Sequence, residues 1–140
     1  MHTQHNILYQ SKSYVNFQRM APRNPEQEKE ILQWIEAVLD EKLPAGDFAE
    51  VLQNGVVLCR LMNKIKPDSV KKFKEKGPAF LLMENVQSFL AAAKKYGVPD
   101  EEVFQTPDLF EARNIPQVSL CIFSLGEIFQ LVTLLFFNVS

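Results

Sequence analysis

Apolar residues in this chain recur three and four positions apart, in blocks separated by Gly, Pro and Asn. The first block follows Asn24-Pro25-Glu26-Gln27. Asn24 can cap a helix, Pro25 suits its first turn, and Glu26 and Glu28 complement the positive end of the helix dipole. Ile31, Ile35, Val38 and Leu39, with Leu32 beside them, then form one apolar stripe. Trp34 borders that stripe and is expected as a core anchor. The predicted end is at Pro44 and Gly46.

Asp47-Phe48-Ala49-Glu50 reads as a capping box for a second, short helix. Asn54-Gly55 breaks it, because both residues tolerate positive φ. Val57, Leu58, Leu61, Met62 and Ile65 resume the helical period, and Pro67 closes the segment. A lysine-rich connection, "DSVKKFKEKGP", spans residues 68–78. Phe80, Met83, Val86, Phe89, Leu90 and Ala93 predict a long helix, ended by Tyr96-Gly97 as a left-handed cap.

"VPDEEVF" suggests a short turn capped by Asp100, and Thr106-Pro107-Asp108 starts a short helix through Phe110. Asn114-Ile115-Pro116 leads into a last helix carrying Val118, Cys121, Ile122, Leu125, Ile128 and Phe129. No stretch alternates as a strand would, so the expected fold is all-α. Trp34, Leu58, Leu61, Phe89 and Ile122 are expected to be buried together. The predicted division is a flexible arm over 1–23, a helical domain over 24–130 and an apolar tail over 131–140.

Composition narrows the function. A chain of 140 residues with 46% hydrophobic content suits one domain with one core. A net charge of −2 gives no general attraction to nucleic acid. The charges are segregated, however. Residues 26–50 hold eight acids against Lys29 and Lys42, whereas 62–77 hold Lys64, Lys66, Lys71, Lys72, Lys74 and Lys76 against Asp68 and Glu75. Cys59 and Cys121 lie inside apolar helical patterns, with no CxxC and no neighbouring histidine. They read as buried thiols in a reducing compartment, not as a disulfide or zinc site. No apolar segment resembling a secretory signal is expected at the start.

Catalysis usually needs a titratable group placed in a pocket. The two histidines, His2 and His5, fall in the arm, and no nucleotide-binding or nucleophile motif is present. The reading is therefore a binding protein with no catalytic residue, no metal and no cofactor.

One segment carries more than a helical pattern. "VLQNGVVLCRLMNKIKP", residues 51–67, resembles the signature of calponin-homology domains, through Asn54, Gly55, Val56, Leu58, Cys59, Leu61, Asn63 and Pro67. "WIEAVL" at 34–39 resembles the family's first core helix, with Trp34 at its tryptophan. "YGV", "FQT-x-DLFE" and "IPQV" within 84–126 resemble the calponin and transgelin group, including insect muscle transgelin-like proteins. The resemblance spans residues 24–130. It implies four main helices with shorter ones between them. It also implies a cytoplasmic protein of the actin cytoskeleton, with weak filament binding by the domain alone. An adaptor role, binding a signalling protein or a microtubule, is the alternative the family allows.

Two departures stand out. Glu127 follows "LG" in the last helix, where the family carries a basic residue, and "LVTLLFFNVS" replaces a polar continuation. The six lysines from Lys64 to Lys76 are the expected partner-binding positions. Leu131, Leu134, Leu135 and Phe136 are expected to pack on the domain or on another copy. A membrane span is not expected, because Val118 to Phe129 are needed in the core and the stretch Leu131–Val139 is too short to cross alone.

Overall fold

A computed structural model describes residues 22–139 of the chain, so nearly all of the predicted arm lies outside the described residues. Among the described residues the structure is helical, with no strand. α1 is Pro25–Leu39, and the Asn24 side chain accepts a hydrogen bond from the Gln27 amide at 3.1 Å. The helix ends earlier than Pro44 and Gly46 suggest. Asp40 turns left-handed at φ 57°, and the Glu36 carboxylate accepts from the Leu43 amide at 2.9 Å. Asp tolerates that conformation because its short polar side chain bonds locally.

α2 is Phe48–Leu52, with the capping box formed as read: Asp47 and Glu50 bond each other's backbone amides or those beside them. Arg23, the last residue assigned to the arm, joins the two helix starts. Its guanidinium donates two bonds of 2.9 Å to Glu28 and reaches Asp47 at 3.1 Å. These carboxylates raise the pKa of Arg23, so it stays charged throughout.

α3 is Val56–Ile65 and α4 is Ala79–Tyr96. Gly55 sits between α2 and α3 at φ 77°, and a Cβ there would lie 2.7 Å from Asn85 Cβ and 2.9 Å from the Val86 amide nitrogen. Both the left-handed backbone and the close approach of α4 require glycine. Two details of α4 differ from the sequence reading. Phe80 is 62% exposed, on the outer side of a first turn whose Leu81 and Leu82 are half-buried. Gly97 closes the helix at φ 134°, ψ 1°, positive but outside left-handed helical geometry, and its amide bonds the Ala93 and Lys94 carbonyls.

A 3₁₀ turn follows at Asp100–Glu102, capped by Pro99 rather than Asp100. α5 is Thr106–Phe110, with a Gln105–Asp108 capping box that the sequence reading missed. α6 is Ile115–Val139, beginning where the Asn114 side chain accepts from the Gln117 amide.

α3 packs between α1 and α4, while α6 lies against α1, α5 and the 3₁₀ turn. Leu58, Leu61, Phe89 and Ile122 are buried in this core as expected. Phe89 stacks on Phe104 with ring centroids 6.3 Å apart, which ties α4 to the segment before α5. Trp34 packs against this core as expected while keeping part of its ring exposed. It lies beside the Ile31–Ile35 stripe, so its ring covers the rim of α6. A Cβ on Gly126 would sit 3.4 Å from Trp34 Cζ2.

The second half of α6 also differs. Leu131, Leu134, Leu135 and Phe136 are 60%, 54%, 61% and 75% exposed, so more than half of each side chain is left uncovered by the domain. The reason is geometric. α6 rises about 1.5 Å per residue and outruns the shorter helices beside it. By length and composition the stretch Ile115–Phe136 is apolar enough to cross a membrane, and half of its most apolar window is buried inside the domain.

Candidate partner-binding surface

All six predicted lysines are exposed. Lys64 lies in the last turn of α3 and Lys66 caps it. Lys71, Lys72, Lys74 and Lys76 lie in the connection to α4, which has no regular structure. The connection is nevertheless held at two points. The Asn63 side chain accepts from the Val70 amide at 2.7 Å and donates to the Val70 carbonyl at 3.0 Å. The Asn85 side chain accepts from the Lys74 amide at 2.9 Å and donates to the Lys74 carbonyl at 2.6 Å. Each side chain therefore does for the loop what a neighbouring strand would do for an edge.

Asn85 also donates to the Asn54 carbonyl at 2.9 Å, joining the Asn-Gly turn to the loop through one buried amide. Val70 is buried and Phe73 is half-buried against the core. Polar and apolar positions thus divide the work: Val70 and Phe73 face inward, and Lys71, Lys72 and Lys74 are left to solvent. Asp68 turns the chain at φ 66°, and Ser69 Oγ donates to the Lys66 carbonyl at 2.6 Å.

The signature residues separate into roles. Leu58, Cys59 and Leu61 are buried, Asn54 closes the turn before α3 by accepting from the Val56 amide at 3.0 Å, and Asn63 anchors the loop. Pro67 is exposed at the turn. Cys59 donates to the Asn85 carbonyl at 3.3 Å, and burial pushes its thiol up to about 12. Cys121 is likewise pushed up to about 12, first by burial and then by the nearby Glu102 charge. A thiol held protonated is a poor nucleophile and a poor metal ligand.

Sequence reading missed Asn85 and Lys95. Asn85 shows no signal in the helical pattern, where a polar residue reads as solvent-facing. Lys95 is remote in sequence from the lysine cluster, but the last turns of α4 set it beside Ser69 and Lys72 along a surface depression. Among the described residues, no group of three or more His, Cys, Asp or Glu could hold a metal ion.

The helical body thus buries both thiols and displays a pinned cationic loop at its surface. Residues 25–131 match the calponin homology (CH) domain, and the chain belongs to that family. It is 50% identical over 106 residues to Muscle-specific protein 20 of Drosophila melanogaster, covering 75% of this chain and 58% of that protein. It is 46% identical over 110 residues to Myophilin of Echinococcus granulosus, covering 77% and 58% respectively. Mouse Calponin-2 is 35% identical over 103 residues, covering 74% of this chain and 33% of that protein. The chain thus spans just over half the length of the first two relatives.

Among solved structures, the calponin-homology domain of an IQGAP protein from Schizosaccharomyces pombe superposes with a TM-score of 0.67 at 32% identity, covering 77% of this chain and 69% of that one. The calponin-homology domain of Rng2 from the same organism gives 0.66 at 31%, with the same coverage.

Proposed function

We propose that the chain is an actin-associated cytoskeletal binding module that works in the cytoplasm, binding filaments weakly and doing no chemistry. The observation that carries this reading is the loop from Lys66 to Lys76, whose lysines are all exposed while its backbone is fixed by Asn63 and Asn85. An acidic protein surface is the natural complement of such a loop. Membership of the calponin-homology family supports it, as does the muscle origin that the name of one relative states.

Each exposed ion pair contributes only about 0–1 kcal/mol, so several together give micromolar or weaker affinity. Screening over about 8 Å near physiological ionic strength weakens it further. Cosedimentation with F-actin at low and at physiological salt tests the reading. Lys71→Glu, Lys72→Glu and Lys74→Glu together should clearly reduce pelleting while the circular dichroism stays that of the parent. Equal pelleting of parent and variant at low salt removes the lysines from the contact. Pelleting with microtubules but not with F-actin replaces this reading with the adaptor role.

The exposed end of α6 belongs to the same proposal. Leu131, Leu134 and Leu135 share one helix face, with Val132 and Phe136 flanking it. A patch of this kind covers itself by association. A second copy is the proposed partner, and no bilayer span is proposed, since the first half of α6 is committed to the core.

A further inference from the structure

The depression beside the lysine loop has two walls and a floor. One wall is the turn through Lys66, Ser69, Lys71 and Lys72; the other is the face of α4 that carries Ser88, Ala92 and Lys95. On α4 the residues 88, 91, 92 and 95 follow one another at helical spacing, so they make one continuous strip about 10 Å long. Ala91 and Ala92 are small, which leaves an open floor between charged rims. Two adjoining hollows, of about 100 and 330 Å³, share Ser69, Ala92 and Lys95. Lys66 lines only the smaller, Lys71 and Lys72 only the larger, and Lys95 both. Asp68 and the Tyr96 ring close the smaller end.

We infer that this trough is a docking site for an acidic polypeptide segment, with Lys95 as a contact residue and Lys76 outside it. The cations line two hollows rather than one, Lys66 the smaller and Lys71 and Lys72 the larger, which suits a row of carboxylates better than a single phosphate. About three extended residues span its length at roughly 3.3 Å each. The rims are preorganised, because Lys71 and Lys72 lie between the two pinned positions, Val70 and Lys74. Ordering that is already present in the free protein is not lost on binding. This inference deepens the filament reading in its choice of partner, but the trough can be tested without filaments.

The test is an NMR titration of the full chain with a decapeptide of alternating Glu and Ala at low salt. The expected result is saturable amide shifts confined to residues 69–72 and 88–96. Lys71→Glu, Lys72→Glu and Lys95→Glu together should weaken the peptide about tenfold or more, and Lys95→Gln alone about threefold. Lys76→Glu and Lys29→Glu should leave affinity within about twofold. Shifts spread evenly over all surface lysines, or an unaltered affinity in Lys95→Gln, overturn the inference. So does a response to inositol hexakisphosphate or phosphatidylserine vesicles at these amides with none to the peptide. A chain that takes the peptide here and ignores F-actin upholds the trough and sinks the filament reading. A chain that pellets with F-actin but gives no saturable shifts with the peptide does the reverse.

Discussion

The lysine loop and the far end of α6 are both exposed, and they are opposites in every other respect. The loop has no regular secondary structure, yet its backbone is tied by four hydrogen bonds from Asn63 and Asn85 and by the inward-facing Val70 and Phe73. The end of α6 is regular helix, yet Leu131, Leu135 and Phe136 are 60% or more exposed. Regularity and fixation are therefore separate properties. A helix satisfies its own backbone and can extend beyond the core at little polar cost. A loop cannot, and it stays in place only if other parts of the fold supply partners for its amides and carbonyls.

Gly55 lies against α4 beside Asn85, the loop's anchor, and changing it should have the largest effect. Gly55→Val places side-chain atoms against Asn85 and the α4 backbone at a positive φ. A loss of about 3 kcal/mol or more is expected, from overpacking and backbone strain together. Urea denaturation measures it. A loss under about 1 kcal/mol would mean that α3 and α4 separate easily there, and that the loop's anchor is softer than its geometry indicates.

Asn85→Ala should separate the two regions. It removes three side-chain hydrogen bonds and strips the Lys74 amide of its partner, at a cost of about 2–3 kcal/mol. Hydrogen exchange should accelerate across residues 70–76 while residues 131–136 exchange as in the parent. Equal acceleration in both would mean that the loop is held by the core as a whole rather than by this one amide.

Removing residues 131–140 should have the smallest effect on folding, under about 1 kcal/mol in a thermal or urea melt, since Leu131, Val132, Leu134 and Leu135 are 48–61% exposed. Its readout is association. Light scattering should show a larger species for the full chain and a monomer for the shortened one. Two equally monomeric forms would leave the apolar end of α6 without the second copy proposed for it.

Much of this fold was legible in the chain because its signals are local. Asn24-Pro25, the Asp47–Glu50 box and the Asn54-Gly55 break each act within a few residues, and the structure forms each one where it was read. The apolar spacing correctly placed Leu58, Leu61, Phe89 and Ile122 in the core. Where local signals compete, reading was less accurate. Pro44 and Gly46 looked like the end of α1, but Asp40 took a left-handed turn first.

The candidate surface divides in the same way. The chain by itself determined which lysines cluster, because neighbours in sequence are neighbours in space. It also determined that they would be exposed, since charged side chains are costly to bury. Only the tertiary structure decided that the loop carrying them is held still, because Asn85 and Lys74 meet across the α3–α4 junction. The same junction decided that Lys95 joins Lys71 and Lys72 along one trough, and helix packing at the other side decided that Trp34 stops at the rim of the core beside Gly126. Periodicity records which face of a helix is apolar. It does not record how far the helix runs past its neighbours or what lies opposite each face, because those depend on how whole helices pack.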